Sequence, residues 1–160
     1  MSEANLQIKN IIRQELENIN QKIKGTSFLE TLKFILLEKL INNKTNKQFD
    51  LNFVDETIKY DNDKKNIQIS LINKKSPKII INKKITKETL LVCLEGNMKI
   101  DLIDFNNKNL SKNFYIKADT GITLPKGMIC NFNYIKDSKL IEILLEDKTI
   151  GIEIDKESTI

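Results

Sequence analysis

The run Thr120-Gly121-Ile122-Thr123-Leu124-Pro125-Lys126-Gly127 is a tight Pro-x-Gly corner with apolar sequence on both sides. Proline presets φ and glycine accepts positive φ, so the chain reverses there. Upstream, Leu90-Leu91-Val92-Cys93-Leu94 meets Glu95-Gly96 and restarts as Met98-Lys99-Ile100-Asp101-Leu102-Ile103, a hairpin pattern with glycine at its turn. Downstream, Leu140-Ile141-Glu142-Ile143-Leu144-Leu145 reads as another apolar strand.

The same period extends in both directions. Ile67-Gln68-Ile69-Ser70-Leu71 alternates apolar with polar residues, as a half-buried strand does. Lys74-Lys75-Ser76-Pro77 turns the chain into Ile79-Ile80-Ile81. With Phe114 to Ile116, Phe132 to Ile135 and Ile150 to Ile154, about nine strand candidates follow one another at spacings of roughly 8 to 12 residues. That rhythm predicts an antiparallel sandwich or barrel.

Before the strands the period is helical. Ile8, Ile12, Leu16, Ile19 and Ile23 recur at spacings of four and three, which predicts an amphipathic helix over 3–24 that Gly25 ends. Ser27-Phe28-Leu29-Glu30 has the Ser-x-x-Glu form of a capping box and predicts the start of a second helix, which runs to Asn42-Asn43. This helix is apolar on more than one face, so it belongs between helix 1 and another layer, or between two subunits. A homodimer through the hairpin and a cap on the chain's own core are both open readings. The expected class is α+β and mainly β, with a helical hairpin over 1–45 and a barrel over 46–160. Residues 44–66 read as polar, with Phe49 to Phe53 as a short strand. Asp61 and Asp63 lie in a solvated turn, because an EF-hand loop would need a glycine at its sixth position and a glutamate at its twelfth.

Composition narrows the function. The 160 residues are 40% hydrophobic, enough for one real core. Lys and Arg total 26 against 22 Asp and Glu, but the lysines are dispersed among acids and asparagines. Trp is absent and Arg13 is the single arginine, so nucleic acid is not the expected partner. Cys93 and Cys130 have neither disulfide-framework nor zinc spacing, which favours a reduced, cytoplasmic chain. No signal-peptide pattern and no apolar run of about 20 residues occurs, so no membrane span is expected. The absence of histidine removes Ser-His-Asp and Cys-His catalysis and imidazole metal ligands. Chemistry would fall to carboxylates, lysine, tyrosine, cysteine or backbone groups.

Leu91 to Ile100, followed by Gly121 to Gly127 and an apolar exit strand, resembles the cupin double-stranded β-helix, a jelly-roll barrel. The second cupin motif would take the form Pro-x-Gly-x-x-Cys. Within cupins, Val92, Cys93, Leu94, Gly96, Gly121 and Pro125 look most like the sugar-nucleotide 3,4-ketoisomerase branch. The resemblance covers residues of about 82 to 147. It implies two histidines on the strand entering the hairpin, one of them a proton-transfer group, and their positions here are Asn82 and Lys84. Metal-dependent cupins would place ligands near Lys83, Ile85 and Thr89 and at Cys130, a set that holds no metal. No cofactor is expected.

The remaining candidates are neutral or basic. Asn82, Lys84, Cys130, Asn131, Asn133 and Tyr134 are candidate ligand-binding residues at the barrel mouth. Lys84, Tyr115 and Glu142 are candidate catalytic groups, the last two as an acid-base pair on neighbouring strands. Each also has a plain structural reading: Lys84 as a solvated strand edge, Cys130 as a small buried hydrophobe. The expected function is a non-catalytic or degenerate cupin that binds a small polar ligand such as a nucleotide sugar, or acts through assembly. The alternative is a dTDP-4-keto-6-deoxysugar isomerase, or a related carbohydrate-modifying enzyme, with non-histidine acid-base groups. A third reading is a scaffold whose barrel interior is filled by side chains.

Overall fold

A computed structural model describes residues 3–20, 25–45, 55–61, 65–103 and 112–147. Two helices, α1 (Glu3–Asn20) and α2 (Gly25–Thr45), precede nine strands. These are β1 (Glu56–Asp61), β2 (Lys65–Lys74), β3 (Lys78–Lys84), β4 (Glu88–Glu95), β5 (Asn97–Ile103), β6 (Lys112–Lys117), β7 (Thr120–Leu124), β8 (Ile129–Tyr134) and β9 (Ser138–Asp147).

The strands form a five-stranded sheet, β1-β2-β9-β4-β7, and a four-stranded sheet, β3-β8-β5-β6. Among these antiparallel ladders are four nested pairs: β2 with β9, β3 with β8, β4 with β7, and β5 with β6. One long hairpin folded over on itself gives that nesting, and successive pairs fall alternately in the two sheets. The result is a jelly roll, the double-stranded β-helix expected from the sequence, with β1 added at one edge.

Strand composition follows from what covers each face. β4 carries Leu90 to Leu94 as an unbroken buried run because it is covered on both sides. Leu90, Val92 and Leu94 join Ile67, Ile69, Leu71, Ile141, Ile143 and Leu145 on the face that packs against the helices. Leu91 and Cys93 join Met98, Ile100, Cys130, Phe132 and Leu140 in the barrel interior. Two apolar clusters, one on each side of the five-stranded sheet, hold the molecule together.

α1 and α2 pack against each other and both lie on the five-stranded sheet, α2 against β4 and β7 and α1 beside β1. There Lys9 pairs with Glu56, and Glu17 accepts from the Tyr60 hydroxyl. α2 is therefore not sandwiched, and its Phe34 is exposed. Phe28, Leu29, Leu32, Leu36 and Leu40 are all buried. Burying a leucine fully contributes about 1.5–3 kcal/mol before entropy is counted. Lys65, also buried, sets its ammonium 3.6 Å from the centroid of the Phe28 ring.

Several local expectations change. α2 begins at Gly25, so Ser27 lies inside the helix rather than at its N-cap. Glu30 turns instead to the sheet, where it accepts a 2.7 Å hydrogen bond from the Thr123 hydroxyl and pairs with Lys33. The polar segment 44–66 contains a strand, β1, paired antiparallel with β2 from Glu56–Leu71 to Asp61–Asn66. Its low apolar content fits an edge strand, and Glu56 pairs with Lys9 of α1. Asp61 closes β1. Phe49 to Phe53, Asp63, Ile23 and Ile150 to Ile154 lie outside the described residues.

The Pro125-Lys126-Gly127 corner joins β7 to β8, with Gly127 at φ 95°. Gly127 N donates to Ile85 O and Ile85 N donates to Met128 O, both at 2.7 Å. The corner thereby fixes the exit of β3, and with it one wall of the barrel.

Candidate functional site

The interior wall of the four-stranded sheet is set by β8, where Cys130, Phe132 and Tyr134 are buried and Ile129, Asn131 and Asn133 are not. Residues directly opposed in an antiparallel ladder share a face. Lys78 opposes Tyr134 and Ile80 opposes Phe132, so both belong to the inner face. The register then shifts: the next opposed pair is Lys83 with Cys130, so Ile81 and Asn82 together face the single residue Asn131. This is a β-bulge. Asn82 adopts φ 54° within it, and its backbone N–H donates to Asn131 Oδ1 at 2.8 Å.

The bulge reverses the parity of the strand's end. Period-two reading from the inward Ile80 puts residues 82 and 84 inside. In the structure Lys83 is on the inner face, and Lys84 opposes Ile129 on the outer one. Asn131 and Asn133 also face outward, opposite Asp101 and Lys99. Of the six ligand-binding candidates, Cys130 and Tyr134 face the interior. Asn82, Lys84, Asn131 and Asn133 belong to the bulge or to the outer surface.

The opposite wall brings a carboxylate. On β9, Ile141 and Ile143 face the helices, so Glu142 faces the barrel between Ser70 of β2 and Leu91 of β4. No hydrogen bond or ion pair to Glu142 occurs among the described residues. Burial pushes its carboxyl above the ordinary value of 4.5, while Lys83 and then Lys74 pull it back. The Tyr134 hydroxyl is pushed up to about 12 by burial and by Glu142. Glu142 thus interacts electrostatically with Tyr134 and Lys83 on the opposite wall and with Lys74 on its own.

Tyr115 is not among these groups. It lies on β6, at the far edge of the other sheet, 54% exposed and opposite Lys99 on the outer face. Tyr115 and Glu142 are on different sheets and do not form the expected pair. The aromatic hydroxyl near Glu142 is that of Tyr134, which only the pairing of sheets reveals.

Lys83, Cys130, Ile85 and Thr89 all lie on the inner side or are buried. They do not fit a metal: an ammonium, a thiol and a hydrocarbon stand with a hydroxyl that donates to Lys87 O at 2.8 Å. Burial pushes the Cys130 thiol up to about 11, so it is protonated at neutral pH. Among the described residues no three His, Cys, Asp or Glu side chains gather as a metal site. Nor is any described helix long and apolar enough to cross a membrane.

Neither a protein-family model nor a curated protein matches the chain. Solved structures do. A cupin-superfamily protein from Desulfitobacterium hafniense is 15% identical, with 59% of this chain and 79% of that one covered and a TM-score of 0.43. A cupin-2 domain-containing protein from Shewanella frigidimarina is 18% identical over 68% of this chain and 96% of that one, TM-score 0.44. An RmlC-like cupin family protein with a double-stranded β-helix, from Methanocaldococcus jannaschii, is 11% identical over 60% and 84%, TM-score 0.42. The jelly-roll assignment itself stands on the strand order and nested ladders.

Proposed function

We propose that this chain is a non-catalytic double-stranded β-helix that holds a small polar ligand, of the nucleotide-sugar class, at the barrel mouth around Glu142. The observation that carries this is the state of Glu142: a carboxylate drawn into the barrel wall, with no hydrogen-bond partner among the described residues. A partly desolvated acceptor without a donor favours a ligand that supplies one. Leu91, Met98, Ile100, Phe132 and Leu140 fill the deeper interior, so a ligand would sit at the mouth. The two buried thiols, Cys93 and Cys130, suit a reducing, cytoplasmic setting.

Melting-temperature measurements with a panel of nucleotide sugars test this reading. A saturable upward shift in the wild type that is lost in Glu142→Gln is expected. A flat response to the whole panel removes the ligand role and leaves assembly, for which sedimentation would then show a homodimer.

The alternative, a sugar-nucleotide isomerase, is favoured by one feature: a carboxyl held above its ordinary value beside a tyrosine is a usable acid-base group. Glu142 would move the proton and Tyr134 would hold the carbonyl oxygen. Incubation with a 4-keto-6-deoxy sugar nucleotide in heavy water distinguishes the two readings. Deuterium incorporation that depends on Glu142 selects the enzyme; none above background selects the binding protein.

A further inference from the structure

The inner faces at the β2–β3 side of the barrel carry an excess of positive charge. Lys78 and Lys83 lie on the inner register of β3, opposite Tyr134 and Cys130. Lys74 opposes Ser138 at the end of β2, on the same face as Glu142. Three ammonium groups thus accompany one carboxylate. Elsewhere on the surface lysines have acids close by: Lys75 with Asp137 at 3.7 Å, Lys87 with Glu146 at 3.4 Å, Lys139 with Glu95 at 3.3 Å. Lys74, Lys78 and Lys83 make no such ion pair among the described residues.

The corner that presents Lys74 and Lys78 is braced. Ser76 N donates to Asp137 Oδ1 and Ser76 Oγ to Ile135 O, both at 2.8 Å. Among the described residues β3 pairs on one side only, with β8, which leaves its other edge at the margin of the four-stranded sheet. The bulge at Asn82 then turns Lys83 toward the same space.

We infer that the mouth takes a small organic anion, a phosphate ester or a carboxylate, held between Lys74 and Lys83 while a ligand hydroxyl donates to Glu142. The inference rests on the binding reading above and adds which groups hold the ligand's anionic end. Two flexible ammonium groups neutralise the anion without demanding bidentate geometry, which suits a phosphate or a carboxylate equally. The partly buried carboxylate needs a donor, so a sugar or polyol bearing the anion satisfies both ends.

Calorimetric titration with glucose 6-phosphate, gluconate and glucose tests the inference and separates the two anion sources. At least one of the anions is expected to bind saturably, and at least tenfold more tightly than glucose. Lys83→Met and Lys74→Met should each weaken it tenfold or more, and Lys84→Met, on the opposite face, should leave it unchanged. Circular dichroism checks that each variant keeps the wild-type fold. Glucose binding as tightly as its charged relatives would overturn the anion and leave the mouth reading intact. Equal losses in the Lys83 and Lys84 variants would reduce the effect to general surface attraction and overturn the site. No saturable binding of either anion, with a nucleotide-sugar response that Lys83→Met and Lys74→Met leave unchanged, sinks the inference alone; silence in both sinks the two together.

Discussion

Lys83 stands directly opposite Cys130 across the β3–β8 ladder. One extra residue in β3 puts it there, and the bulge depends on Asn82 at φ 54°. Asparagine tolerates that region, whereas a β-branched side chain meets the backbone. Asn82→Val is therefore expected to lower the unfolding free energy by about 1–2 kcal/mol in urea titrations. Asn82→Gly should stay within about 0.5 kcal/mol of wild type, since glycine accepts the conformation at little steric cost. A Val variant as stable as the Gly variant would mean the bulge is not held by this residue.

Cys130 is fully buried, and burial pushes its thiol up to about 11. The folded protein should react with iodoacetamide far more slowly at pH 7.5 than a free cysteine does, and denaturant should release the normal rate. Mass spectrometry of tryptic peptides distinguishes Cys130 from Cys93. Rapid labelling of folded Cys130 at pH 7.5 would contradict its burial.

Glu142 is raised above its ordinary value of 4.5, mainly by burial. The folded state thus binds the carboxyl proton more tightly than the unfolded state. The stability this contributes is full below pH 4.5 and is lost as pH rises through the folded value. Glu142→Gln removes the ionisation, so its melting midpoint should exceed that of wild type at pH 7 to 8. The gap should close as the pH falls below 4.5. An equal gap at every pH would assign the difference to packing rather than to the charge.

The helices cover Leu90, Val92, Leu94, Ile141 and Ile143 on the outer face of the five-stranded sheet. A chain lacking residues 1–45 would expose that apolar surface, and is expected to aggregate or to unfold without cooperativity in thermal scans. The full chain with Leu36→Ala should remain folded and lose about 2–5 kcal/mol. A soluble, cooperatively unfolding truncation would show the barrel to be independent of the hairpin.

How much of this was legible in the residues varies from element to element. Gly96 and Gly127, at φ 102° and 95°, mark the turns that the sequence places beside Glu95 and Pro125. The unbroken apolar run of β4 signalled burial on both faces, although not that α2 would cover one of them. β1 was missed because an edge strand can be polar, and a strand with few apolar residues has no period to detect. The site was harder to read. The resemblance selects Asn82 and Lys84, positions that counting by twos from Ile80 would also turn inward, and Tyr115 looks as close to Glu142 as Tyr134 does.

The sequence by itself determined the class of fold: the strand rhythm, the Pro-x-Gly corner and the helical periods are local patterns that leave few alternatives for burying their apolar faces. It also determined what the site lacks, because no fold can supply a histidine. Tertiary structure alone decided which groups share the barrel mouth. A single bulge exchanges the two faces of β3. Glu142, which shares its sheet with Lys74, comes under the influence of Tyr134 and Lys83 only when the two sheets close on each other. Side-chain facing is set by the partner strand's register, and contact across the barrel by the packing of sheets.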